Sequence, residues 1–151
     1  MTASLRSTLE HISLQLFAGS MNYQVSFLVA ELKYAAGQSL QKLRQSATGK
    51  PAFPEDSRSA NSSDVVEALR DALSYERDDG SHPSRLYMQS PEFRHDSDIA
   101  ISQLRELVDS ADTIISFSLV EGHPFYPVFW DFAFVIEKGD DAVVFIGSSS
   151  D

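Results

Sequence analysis

Cysteine is absent from the 151 residues, which excludes disulfides, thiolate metal sites and cysteine nucleophiles. No stretch approaches the roughly 18 consecutive apolar residues of a membrane span. The opening MTASLRSTLEHISLQLF lacks the continuous apolar run of a signal peptide, so a soluble, cytoplasmic protein is expected. There is no G-x-S-x-G elbow, P-loop or G-x-G-x-x-G, which removes the common hydrolase and nucleotide signatures. The four histidines, His11, His82, His95 and His123, include no i, i+4 pair of the zincin kind. The run His95-Asp-Ser-Asp98 has metal-compatible side chains, but the same residues suit a helix start. Neither a metal nor a cofactor is expected.

Basic residues are scarce: 12 lysines and arginines stand against 22 acids, for a net charge of −10. The imbalance is uneven. Residues 1–50 carry five bases and two acids, a net of +3, so residues 51–151 carry −13. Nucleic acid needs a positive surface that displaces counterions, so it is excluded as a partner. A basic protein is the matching one, because opposed potentials speed encounter and reject wrong partners.

What is present is a globular composition of one-domain size, with 42% hydrophobic residues. Leu5, Leu9, Ile12 and Leu16 fall on one face of a helix that breaks at Gly19-Ser20. Met21, Val25, Leu28, Leu32, Ala36, Leu40 and Leu43 continue the spacing and predict a second, long helix, followed by loop through SATGKPAFPEDSRSANSS. A third helix is predicted from about Ser63, with Asp64 and Glu67 as a capping pair and Val66, Leu69 and Leu73 as its stripe. A long loop over 77–98 follows, with RLYMQ as a short edge strand within it, and a fourth helix runs from Asp96 or Ser97 with Ile101, Leu104, Leu107 and Val108 inward.

From Thr113 the period changes to two, and TIISFSLV, VFWDFAFVI and AVVFIG read as three strands. The fold class predicted is therefore α+β: a helical N-terminal part of about four helices packed on a C-terminal three-stranded antiparallel meander. Alternation places Val128, Trp130, Phe132, Phe134 and Ile136 toward the helices and Phe129, Asp131, Ala133, Val135 and Glu137 away from them. Trp130, Phe132, Phe134 and Phe145 are the expected aromatic core. Gly139-Asp140 reads as a type II′ turn, which sets Ile136 opposite Val143, Phe134 opposite Phe145, Phe132 opposite Gly147 and Asp131 opposite Ser148. Ser116 or Ser118 would extend a serine–aspartate row on the outer face.

Three functions compete. The first is an acidic binding protein that neutralises a basic partner, in the manner of bacterial immunity proteins against toxin domains. Its expected partner-binding residues are Glu76, Asp78 and Asp79 for steering, beside an exposed Tyr87 and Met88 as apolar anchors. The second is a small acidic secretion-type chaperone, against which the clustering of strands at the C-terminus counts. The third is a hydrolase in which His123, on the loop EGHPFYP, works with Asp131; both residues also have plain structural readings, and no catalytic role is assigned to either.

Overall fold

A computed structural model describes residues 2–33, 54–76, 79–119 and 130–150. Helix α1 (Thr2–Phe17) leads into strand β1 (Gln24–Lys33), and strand β2 (Pro54–Ala60) precedes helix α2 (Ser62–Ser74). The single turn α3 (Arg85–Met88) and the long helix α4 (Pro91–Asp109) come next, then strands β3 (Thr113–Leu119), β4 (Trp130–Lys138) and β5 (Asp141–Ser150). All five strands form one antiparallel sheet in the order β1-β5-β4-β3-β2. The protein is α+β, but the expected three-stranded meander with a purely helical N-terminal part is incorrect.

Two segments account for the difference. Val25, Leu28 and Leu32 have helical spacing, yet Gln24–Lys33 is a strand paired with β5 along its whole length, from Gln24 opposite Ser150 to Lys33 opposite Asp141. Its β-branched and aromatic residues Val25, Phe27 and Val29 suit a pleated surface, and full pairing satisfies the backbone of β5 on its second side. The segment from Pro54 to Ala60 reads as loop by composition but pairs with β3 at the opposite edge of the sheet, with a register shift between Pro54 and Ser57. An edge strand tolerates proline and polar side chains that a central strand does not.

The C-terminal hairpin follows its expected register residue for residue, from Lys138 opposite Asp141 to Trp130 opposite Ser149. Gly139 takes a φ of +57° while Asp140 does not enter positive φ, in agreement with the type II′ turn. At Gly147 a β-carbon would lie 2.4 Å from Cζ of Phe132, so the ring occupies the space that the missing side chain leaves.

The described helices lie on one face of this sheet. The core there joins Leu5, Leu9, Ile12 and Leu16 of α1, Val65, Val66, Leu69 and Leu73 of α2, and Ala100, Ile101, Leu104 and Val108 of α4 to Val25, Val29, Ile114, Phe134, Ile136, Val143 and Phe145 of the strands. Phe134 and Phe145 are buried as expected, whereas Trp130 and Phe132 are half-buried and pack against the rim of the core. The opposite face carries a second buried cluster built, among the described residues, from strand side chains alone: Phe117, Ala133, Val135, Ala142, Val144 and Ile146. At the β1 edge Arg6 donates from Nε and Nη2 to the carbonyl of Val29 at 3.0 and 2.8 Å, giving an edge carbonyl a partner from α1.

Helix starts are set by local chemistry. Asn61 caps α2 by accepting from the amide of Asp64, while the Asp64 carboxylate accepts from the amide of Asn61, each at 2.9 Å. The capping box is thus Asn61/Asp64, three residues before the expected Asp64/Glu67 pair. Ser90 caps α4 with Pro91 in its first turn, so the helix begins well before Asp96, and RLYMQ contributes the turn α3 and not a strand. The first two turns of α4 hold a single large apolar residue, Phe93, so hydrophobic periodicity does not reveal them.

Candidate functional site

The segment expected to carry recognition is stitched to the α1–β1 connection. Met21 and His82 exchange backbone hydrogen bonds, the amide of Ser84 donates to the carbonyl of Leu16 at 2.8 Å, and Ser81 Oγ donates to the carbonyl of Asn22 at 2.6 Å. This docking decides the fate of the predicted anchors. Tyr87 is buried, not exposed: its ring meets Phe93 edge-on with centroids 5.1 Å apart, and its hydroxyl donates to Asp96 Oδ2 at 2.6 Å. Met88 is half-buried against the helix-side core. Glu76 is exposed, and Asp79 is exposed but paired with Arg85 at 2.7 Å. Asp78 lies outside the described residues. Single-turn α3 thus turns its tyrosine inward, because Ser84 caps it and fixes which side faces α4.

The buried phenol belongs to a small polar chain. His11 Nε2 lies 3.2 Å from the same Asp96 Oδ2, so α1, α3 and α4 meet at one carboxylate oxygen. Desolvation, followed by the hydrogen bond and negative charge of Asp96 and the charge of Glu92, pushes the Tyr87 pKa well above its usual value. A phenol held in its neutral form this way serves as a donor and is a poor base, so the chain ties helices together and offers no nucleophile.

The other proposed chemistry separates in space. His123 lies outside the described residues. Asp131 is exposed on β4 opposite Ser148, whose buried hydroxyl has no hydrogen-bond partner and therefore does not bind it. Ser116 stands opposite Phe134 on the helix-covered face, so it does not join Asp131 in a row. His95 to Asp98 sit in the first turns of α4, and no group of three potential metal ligands occurs among the described residues.

Two surfaces remain. The first is the outer side of α2 and α4, which carries eight carboxylates (Asp64, Glu67, Asp71, Glu92, Asp96, Asp98, Glu106 and Asp109) against Arg70, Arg94 and Arg105. Apart from Asp96, these acids are exposed, and among the described residues the only ion pairs are Asp79–Arg85 and Asp96–His11. The second is a recess of about 300 Å³ between α2 and β4, lined by Ala68, Asp71, Ala72, Tyr75, Trp130, Asp131 and Phe132. A larger recess of about 580 Å³ lies elsewhere, with Leu107, Ile136 and Val143 beneath Glu31, Lys138 and Asp141, and its rim mixes both signs of charge.

In the α2–β4 recess the rings are held in place. Trp130 Nε1 donates to the hydroxyl of Tyr23 at 2.9 Å, Tyr23 stacks on Tyr75 with centroids 6.2 Å apart, and Trp130 and Phe132 lie within 6° of parallel at 6.0 Å. Asp71 lies in the last turn of α2 and Tyr75 is the extended residue that ends it, four positions on, and both line the recess. That spacing is visible in the sequence. The strand that faces it is not, because Tyr75 and Trp130 are 55 positions apart.

Fold and surface together define an α+β protein with a helix-covered antiparallel sheet and an acidic helical exterior. No family model, no curated protein and no solved structure matches this chain. No helix among the described residues is long and apolar enough to cross a membrane.

Proposed function

We propose that this is an acidic binding protein that neutralises a basic protein partner, in the way an immunity protein blocks a toxin domain. The observation that supports it is the set of exposed carboxylates on α2 and α4 with no basic side chain paired to them among the described residues. Intramolecular pairing would have used up their field. Left unpaired, they add to a net charge of −10 that steers a cationic partner toward the helical side. The interface is assigned to α2 and α4 in place of the Tyr87–Met88 anchors, since Tyr87 is already committed to the core.

Co-expression with a basic domain encoded in the neighbouring reading frame tests the reading. A stoichiometric complex is expected, with association that slows as salt rises and slows again in a Glu67→Lys, Asp98→Lys double variant. A complex whose association rate ignores both salt and these charge reversals would contradict it.

One observation favours a second reading. The objection to a secretion-type chaperone was the clustering of strands at the C-terminus, yet β1 and β2 precede α2 and the elements interleave. Such chaperones work as dimers around an extended segment. A dimer in solution that captures an unfolded chain would favour that function, and a monomer that binds a folded basic domain would favour neutralisation.

A further inference from the structure

We infer that the recess between α2 and β4 is a receptor for an arginine side chain of the basic partner, an assignment that rests on the neutralisation reading. Three features of the recess converge on a planar organic cation. The first is its aromatic wall: Tyr75, Trp130 and Phe132 are each half-buried, so their rings are accessible yet fixed by packing and by the Trp130–Tyr23 hydrogen bond. Cations are attracted to the faces of such rings, tryptophan most of all, and the attraction strengthens where water is partly excluded. The second is the small floor of Ala68 and Ala72, which leaves room for a side chain at a point where larger residues would fill the space between helix and strand. The third is charge. Asp71 lines the recess together with Tyr75, is exposed, and has no ion-pair partner among the described residues. Asp131 adds a second negative charge at the rim, although its place in the strand turns it toward the opposite face from Trp130 and Phe132.

An apolar ligand would fill the recess but leave the carboxylate unanswered, and an anion would be repelled. A guanidinium satisfies both parts, stacking its plane on a ring while donating to a carboxylate. The volume of about 300 Å³ suits one side chain and not a folded element. The site would therefore supply the anchor that a surface of exposed acids lacks: charge on α2 and α4 brings the partner in, and the recess holds one arginine.

Trp130 is the only tryptophan, so its fluorescence reports on the recess directly. The full chain is titrated with a capped tetra-arginine peptide and with its tetra-lysine counterpart at constant ionic strength, with calorimetry in parallel. Tetra-arginine should change Trp130 emission saturably and bind more tightly than tetra-lysine. Asp71→Asn should weaken it about ten-fold with an unchanged melting temperature, whereas Glu67→Gln, on the same helix outside the recess, should change it less than about two-fold. Calorimetric binding with no change in Trp130 emission, or equal weakening by the two variants, would overturn the recess and leave the basic-partner reading standing. Lysine binding as tightly as arginine would overturn the guanidinium assignment. Absence of binding by either peptide would overturn the site, and the complex with the neighbouring basic domain would then decide the broader reading by itself.

Discussion

The two faces of the sheet are both buried, but they are built from different materials. Toward the helices the strands present large rings: Phe145 meets Phe132 at 4.9 Å, Phe132 meets Phe134 at 5.9 Å, and Phe27 reaches Trp130 at 6.2 Å. Away from them they present Ala133, Val135, Ala142, Val144 and Ile146, with Phe117 as the one buried ring among the described residues. The difference follows from what each face must match. Helices packed on a sheet leave gaps between their own leucine stripes, and rings fill such gaps while interlocking with one another. The helical face is thus the one whose shape is set by particular residues, and it is also where the aromatic recess opens.

Removing its centre should have the largest effect. Phe145 is fully buried in contact with Phe132, and Phe145→Ala should lower unfolding free energy by about 3–5 kcal/mol in a denaturant titration. A loss below about 1 kcal/mol would mean that the helical face is loosely packed. Filling the same face should also be costly. Gly147→Ala places a methyl group within 2.4 Å of the Phe132 ring and should cost about 3 kcal/mol, with a shift in Trp130 emission because Phe132 stacks on that ring. A tolerated alanine would show that Phe132 moves freely.

On the opposite face Val135→Ala, at a fully buried position, should cost about 2 kcal/mol, since two methyl groups are lost with little interlocking around them. A cost equal to that of Phe145→Ala would erase the contrast between the faces. At the outer layer of the helical side, Tyr87→Phe removes the hydrogen bond to Asp96 and should cost about 1 kcal/mol at neutral pH. The sign of its pH dependence is set by the raised pKa of the phenol. Its contribution is complete below pH 10, the unfolded value, and is lost as pH rises toward the folded one, so the native chain should lose stability above pH 10 faster than the variant. Parallel curves would remove Tyr87 from the account. Smallest of all, Ser148→Ala deletes a buried hydroxyl without a partner on the outer face and should leave the melting temperature unchanged or slightly higher. A clear loss would reveal a bond that the hydroxyl makes.

Legibility followed the range of the interactions. The α1 stripe, the α2 stripe, the β4–β5 register and the Gly139 turn all depend on nearby residues, none further apart than Trp130 and Ser149, and each is readable from spacing alone. The start of α4 is signalled locally only by the cap residues Ser90-Pro91-Glu92, because apolar periodicity begins later, near Ile101. At the candidate site, Asp71 and Tyr75 are close in sequence at the end of α2, but nothing local names Trp130 and Phe132 as the facing wall. Tyr87 reads as exposed from its local sequence, and the Asp96 carboxylate that its hydroxyl meets is nine positions away on another helix.

By itself the sequence determined the acidic charge, the exclusion of cysteine chemistry, the amphipathic helices and the C-terminal hairpin, since each is a matter of composition or short-range period. Tertiary structure alone decided that Gln24–Lys33 is a strand. Its apolar residues satisfy both a helical period and, at Val25, Phe27 and Val29, a strand period, and only the open edge of β5, more than a hundred residues later, resolves the ambiguity. The same holds for Pro54–Ala60, whose polar composition favours loop until β3 offers it a row of backbone partners. Local preference differs by fractions of a kcal/mol per residue between these states, and a ladder of hydrogen bonds outweighs it, reinforced in β1 by the burial of Val25 and Val29.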